Sequence, residues 1–247
     1  MTATETATPE LLPLGQDGVL VRFSRTASGA ATGAVIAFAA DLRDDLPDGA
    51  VEIVPSLTSV LVRFDPGAIA RPALVQLLDR RARARDWLAA PLPTPPRRWN
   101  VPATFGGEAG PQLAEFASLA GLSETRAVQE ATEADLRVLA IGFTAGLPYL
   151  GLLPAHWDVA RQAELTPQVP AGTVAAAVRQ LVIFPADSPT GWRRIGRTAF
   201  RPFLPSRAEP FLLRAGDALR LVPVSASEMA ALEDADGIGG ATCEVLS

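Results

Sequence analysis

Apolar residues recur along this chain at two spacings, one of strands and one of helices. Two short apolar runs, 11–14 and 19–23, flank Gly15-Gln-Asp-Gly18, which is the pattern of a β-hairpin. Val35, Ile36, Phe38, Ala39 and Leu42 then fall on one helical face over residues 34–46, and Pro47-Asp-Gly49 stops the run. Strands are expected at 51–54 and 59–64, followed by a helix at 68–88 with Leu74, Leu77, Leu78 and Ala82 on one face. The order ββαββα predicts a two-layer α+β domain, with both helices on one face of an antiparallel sheet.

Pro91-Leu-Pro-Thr-Pro-Pro96 cannot continue a helix and reads as a stiff linker. The pattern therefore divides the chain into a tail (1–10), a small α+β domain (11–90), a linker (91–98), a second domain (99–235) and a mobile tail (236–247). After a strand at 99–104, helices are expected at 111–120 and 124–134, the second capped by Ser123. From Leu136 onward the pattern becomes many short strands punctuated by Gly and Pro: 136–143, 173–178, 181–184, 192–198, 211–213 and 218–223. That predicts a sandwich or closed barrel, with a short helix near 229–234. No internal repeat occurs, and no GxGxxG follows a strand, which argues against a dinucleotide fold.

Composition narrows the chemistry. A net charge of −5 argues against nucleic-acid partners and anionic membranes. No apolar run spans a bilayer, the N-terminus lacks a signal core, and the one cysteine, Cys243, permits no internal disulfide, so a cytoplasmic protein is expected. All 22 basic residues are arginines, which excludes a P-loop lysine, a Schiff-base lysine and a lysine base in this chain. One histidine, His156, and one cysteine cannot build a metal cluster, so no metal is expected. His156 lies in Leu153-Pro-Ala-His-Trp157, a loop-like stretch where a surface or capping role is expected. Carboxylates, arginines, hydroxyls and backbone amides remain for chemistry.

The densest candidates lie in three glycine-bearing segments. These are Ile141-Gly-Phe-Thr-Ala-Gly-Leu-Pro-Tyr-Leu150, Val169-Pro-Ala-Gly-Thr-Val174 and Ser188-Pro-Thr-Gly-Trp-Arg-Arg-Ile-Gly-Arg-Thr198. Glycine permits positive φ or close backbone approach, and Phe143, Tyr149, Trp192 and Arg197 lie beside it. Two readings follow: turn chemistry around buried aromatics, or loops lining a pocket with aromatic faces, backbone N–H groups and a guanidinium.

These segments resemble, in order, those of the 5-oxoprolinase B-subunit (allophanate hydrolase subunit 1) family, which includes a bacterial sensor-kinase inhibitor. The resemblance runs from Leu12-Pro-Leu-Gly15 to Leu212-Leu-Arg-Ala-Gly-Asp217. It implies the ββαββα domain followed by a cyclophilin-like closed β-barrel with short helices. It further implies a cytoplasmic hetero-oligomer, inactive as a single chain, with a homologous C-type (subunit 2-like) protein and a LamB/YcsF-type third subunit. Such a complex is expected to open 5-oxoproline to glutamate with ATP, or to act on a related allophanate- or urea-type amide. No tightly bound cofactor is expected in this chain, and ATP is expected to be used by the whole complex.

On that reading Arg161 and Arg197 hold a carboxylate or developing anion. Backbone amides near Gly146 and Gly172, with the Thr173 hydroxyl, stabilise an oxyanion, while Tyr149 and Trp192, beside Phe143, stack on a planar amide. In the opposing reading Arg197 pairs internally with Asp187 or Asp217, and Trp192 belongs to the core. The sequence also departs from the family at polar positions. Ala131 replaces a histidine and Leu136 an aromatic residue; Ala145-Gly-Leu147 replaces Pro-Gly-Phe; Thr166 falls where a second arginine is usual; and Pro189-Thr-Gly-Trp192 replaces Pro-Gly-Gly-Trp. A scaffold kept while imidazole and guanidinium are lost suits altered or lost chemistry. The alternative function is therefore a non-catalytic regulatory module that docks on another protein, like the kinase-inhibiting branch.

Overall fold

The computed structural model describes residues 8–233 and 237–246, and the chain forms two compact units, Met1–Thr94 and Pro95–Ser247. The first is the ββαββα arrangement: β1 (Glu10–Leu14), β2 (Gly18–Arg22), α1 (Gly29–Asp44), β3 (Ala50–Ser56), β4 (Ser59–Phe64) and α2 (Arg71–Arg83). The strands form one antiparallel sheet in the order β1-β2-β4-β3. Alternate residues Val19, Val21, Val60, Val62 and Phe64 are buried with Val35, Phe38 and Leu42 of α1 and Leu74 and Leu78 of α2. Phe38 packs edge-on against both Phe23 and Trp87, at 5.2 and 5.0 Å between ring centres.

The helix limits differ from the pattern because local hydrogen bonds decide them. Helix α1 starts five residues early, where the Ser28 hydroxyl accepts the Ala31 N–H. Helix α2 starts late, with Pro72 in its first turn, and ends early, where the Asp86 carboxylate accepts the Leu88 and Ala89 N–H groups. The expected tail is also corrected at one end. Glu10 is the first residue of β1, held by Arg22 at 2.5 Å, whereas residues 1–7 lie outside the described residues.

The second unit contains β5 (Arg97–Phe105), α3 (Leu113–Leu119), α4 (Glu124–Glu133), β6 (Leu136–Ile141), β7 (Pro148–Gly151), β8 (Thr166–Val169), β9 (Thr173–Ala177), β10 (Gln180–Ile183), β11 (Ser188–Thr190), β12 (Arg193–Arg197), β13 (Ala218–Pro223), α5 (Ala226–Ala231) and β14 (Thr242–Val245). Seven strands close a barrel in the order β12-β9-β10-β7-β6-β13-β5, and β5 returns to β12 through Thr104 and Phe105. The β5–β13 pair is parallel. Val101, Val138, Leu150, Val174, Leu181, Ile183, Ile195 and Leu219 fill the interior, which α3, α4 and Trp157 help to close.

Three expectations for this unit are corrected. Residues 237–246 are not a mobile tail, because β14 pairs with the first half of β5, from Thr242↔Asn100 to Val245↔Arg97. No strand forms at 211–213, where Phe211 makes only an isolated bridge to Phe203. The last helix is Ala226–Ala231, set by a capping box between Ser225 and Glu228, while residue 234 lies outside the described residues. No described helix is long and apolar enough to cross a membrane.

Candidate functional site

Strands β9 and β10 are buried on both faces. Val174, Ala176, Leu181 and Ile183 point into the barrel, whereas Ala175, Ala177, Val182 and Phe184 form a second apolar cluster with Leu147, Val169 and Trp192. Beside this outer cluster lies a cavity of about 370 Å³, within the size range of small-molecule sites. Its floor is Leu147, Val182 and Phe184. Its walls are Phe143, Tyr149 and Trp192, with Arg161, Gln162 and Leu165 from the segment ahead of β8, and Pro189, Thr190 and Gly191 from β11 and the turn after it.

Local hydrogen bonding fixes these walls. The Gly191 carbonyl accepts the Gln162 N–H at 2.7 Å, and the Gln162 amide oxygen accepts Gln112 Nε2 at 2.7 Å. Thr190 Oγ1 accepts the Trp192 N–H at 3.0 Å, so the turn through Gly191 orients the indole. Tyr149 meets Trp192 edge-on at 6.0 Å, and the Arg161 guanidinium lies 5.3 Å from the Trp192 ring centre. Arg161 makes no hydrogen bond or ion pair with the described residues, and it is exposed.

Phe143 is the unusual member. Its φ of 72° is left-handed, rare for a bulky side chain, and it is 73% exposed. The loop is held by a bond from the Gly142 N–H to the Leu147 carbonyl and by Gly146 at φ 75°, where a Cβ would lie 2.2 Å from Phe203 Cβ. The cavity thus offers aromatic faces, an apolar floor and one cation. Among the described residues, no His, Cys, Asp or Glu lines it. It is equipped to bind and orient a planar anion, and its hydroxyl groups are those of Tyr149 and Thr190.

Residues 9–213 match the family described as carboxyltransferase domain, subdomain C and D. The chain is 36% identical over 181 residues to the 5-oxoprolinase B subunit of Escherichia coli O157:H7, covering 72% of this chain and 80% of the relative. Against the 5-oxoprolinase B subunit of Bacillus subtilis (strain 168) it is 30% identical over 229 residues, covering 90% and 95%. The chain belongs to the carboxyltransferase C/D-domain family. Among solved structures of this fold, TTHA0988 is 31% identical with a TM-score of 0.68, over 84% of this chain but only 40% of its own length. The Kluyveromyces lactis urea amidolyase shares the fold alone, at 16% identity and a TM-score of 0.74 over 98% of this chain and 17% of that one.

Set in this family scaffold, the eight residues singled out in the sequence separate into two groups. Phe143, Tyr149, Arg161 and Trp192 line the cavity, and Gly146 shapes its loop. Arg197, Gly172 and Thr173 do not line it. Arg193, whose Nη1 donates to the Ala160 carbonyl, marks the cavity end of β12; Arg197 lies four strand residues away, roughly 13 Å. The expected convergence of Arg161 and Arg197 on one concave site is therefore corrected. Arg197 pairs with Glu233 rather than with Asp187 or Asp217. Asp217 instead holds Arg97, and Asp187 accepts the Ala171 N–H and Gln168 Nε2, bonds that keep its carboxyl below the ordinary range. Thr173 is buried, and its hydroxyl donates to the Pro170 carbonyl at 2.7 Å, which closes the turn that Gly172 makes at φ 82°.

The departures from the family also separate. Ala131 and Leu136 are buried in the barrel core, away from the cavity, so a change there acts on packing. Leu147 and Leu165 line the cavity. Gln162, Val182, Phe184 and Thr190 were not singled out in the sequence. The available signal was the unbroken apolar run Leu181-Val-Ile-Phe184, which marks a strand buried on both faces.

Proposed function

We propose that this chain is the small-molecule-binding subunit of an ATP-dependent amide or lactam hydrolase of the 5-oxoprolinase type, working with a homologous C-type partner and a third, LamB/YcsF-type protein. The observation that carries this reading is a cavity that holds one guanidinium over an indole and, among the described residues, no imidazole or carboxyl group. Such a site can hold a carboxylate beside a planar ring, as 5-oxoproline presents, while the acid–base chemistry comes from another chain. Relatives named as the B component of 5-oxoprolinase support the reaction class, and an allophanate-type amide is the related substrate to test. The absence of lysine fits a component that leaves the nucleotide phosphates to its partners.

Co-expression with the two partner proteins, followed by an ATP- and 5-oxoproline-dependent glutamate assay, tests the proposal. Turnover should need all three chains. Arg161→Gln and Trp192→Ala should raise KM by about tenfold or more, the loss of one charged hydrogen bond or one stacked ring. Full activity in both variants, or turnover by this chain alone, would refute it. A stable complex without turnover on either amide would favour the regulatory reading, which the lack of imidazole and carboxyl groups among the described cavity residues supports.

A further inference from the structure

At the far end of β12 a second polar constellation surrounds the Gly172 turn. Gly172 presses on Arg201: a Cβ there would lie 2.4 Å from Arg201 Nη1 and 2.2 Å from the Thr198 carbonyl oxygen. The Gly172 carbonyl accepts the Thr198 N–H at 2.8 Å, so the turn and the Thr198–Arg201 segment hold each other. Arg201 Nη1 and Arg197 Nε are both buried, and neither has a hydrogen-bond partner among the described residues. Orphaned buried N–H donors are rare because each forfeits its hydration without recompense.

Electrostatics points the same way. Burial first, and the neighbouring Arg197 charge second, lower the pKa of Arg201, and Glu233 and Asp187 only partly oppose them. Glu233 meets Arg197 through Nη2, which leaves Nε unused. Asp187 has its oxygens occupied by Ala171 and Gln168. Two like charges are thus held together, with Glu233 engaged by Arg197 Nη2 and Asp187 by its own loop. A guanidinium pair with unused N–H groups offers the charged donors that an oxyanion accepts from.

We propose that Arg197 and Arg201, braced by the Gly172 turn, form an oxyanion-binding site separate from the aromatic cavity, which takes a phosphoryl or carboxylate group. The site does not depend on the hydrolase reading. It can be tested on the full single chain without partners, at constant ionic strength balanced with chloride. Inorganic phosphate and acetate are titrated separately while the arginine Nε–Hε resonances are followed.

Saturable shifts of the Arg197 and Arg201 signals by at least one anion are expected. Tighter phosphate than acetate identifies a phosphoryl site, and the reverse a carboxylate site. Arg201→Gln and Arg197→Gln should each weaken binding by about tenfold or more, whereas Arg161→Gln should leave it unchanged. Resonances that drift without saturation in both titrations, or binding that survives both substitutions, would overturn the proposal. The wild-type shifts decide the matter if a variant fails to fold. Failure here with 5-oxoproline turnover intact would leave the hydrolase reading standing.

Discussion

Replacing Arg97 should expose how strongly the barrel depends on one buried ion pair. Asp217 is fully buried and accepts Arg97 twice, Nε at 3.1 Å and Nη2 at 2.6 Å, together with the Arg214 N–H at 2.8 Å. Arg97 also donates to the Leu212 carbonyl, and it lies 6.0 Å from the Trp99 ring centre. Removing one partner of a buried pair costs about 3–5 kcal/mol, because the other charge stays behind without compensation. Here a second cation softens the loss: Arg137 is buried and acts on Asp217 electrostatically. That places Arg97→Ala near the lower end, at about 3 kcal/mol, with roughly 0.5–1 kcal/mol more from the lost cation–π contact.

For a protein of this size, such a loss should lower the melting midpoint by roughly 6–16 °C. Urea denaturation followed by tryptophan fluorescence should show the midpoint fall with the slope unchanged. The paired variant R97M/D217L should recover part of the loss, since it strands no carboxylate, though Arg137 loses its Asp217 counter-charge and the Arg214 N–H its acceptor. A loss below about 1 kcal/mol in Arg97→Ala, or a double variant no better than the single, would refute the reasoning. A C-terminal fragment should for the same reason begin at Pro95. One begun at Trp99 forfeits Arg97 and its register with Val245.

Two further outcomes are expected. Glu130, whose side chain is 11% exposed, accepts Trp157 Nε1 at 2.7 Å, His156 Nε2 at 2.6 Å and Arg126 Nε at 2.9 Å; against burial, these bonds hold its carboxyl below the ordinary value of 4.5. A depressed folded-state pKa stabilises above the unfolded value, so the advantage of wild type over Glu130→Gln, about 1–3 kcal/mol, should be full above pH 4.5 and shrink on further acidification. A gap constant from pH 7 to 3 in parallel denaturation series would contradict this. Phe143→Asn should raise stability by about 1 kcal/mol, because asparagine tolerates φ of 72° and the phenyl ring is exposed, yet it should weaken ligand binding at the cavity. Unchanged affinity would remove Phe143 from the site.

Much of the scaffold was legible in the sequence because its signals are local. Period-two apolar runs around Gly15–Gly18 and helical spacing in Val35–Leu42 set the first unit without reference to distant residues. Strand β14 was not legible. Thr242-Cys-Glu-Val245 is exposed throughout and shows no alternation, and it becomes a strand only because β12 leaves half of the β5 edge open. Strand β7 was hidden inside a Gly- and Pro-bearing segment that read as loop. At the site, Tyr149 and Trp192 stood out as aromatics in glycine-bearing segments, whereas Gln162 acts through bonds to residues 30 and 50 positions away. Arg197 misled for a geometric reason. Residues 192–198 form one motif in sequence, but an extended strand carries its two ends to different places.

The strain at Phe143 bears on whether the cavity is a relic. A left-handed conformation costs a non-glycine residue about 1–2 kcal/mol, and burial does not offset it, since the ring is 73% exposed. Glycines stand on either side, at 142 and 146, so the chain has conformational freedom there that the phenylalanine does not use. An exposed aromatic at the rim of an apolar cavity serves contact with another molecule, either a small ligand or a protein surface. The left-handed backbone fixes the ring beside Tyr149, Trp192 and the Arg161 guanidinium, which line the same cavity. Two of the departures lie elsewhere: Ala131 and Leu136 are in the core, where apolar side chains improve packing. Ala131 therefore lies apart from the cavity wall, where Phe143, Tyr149, Arg161 and Trp192 remain together.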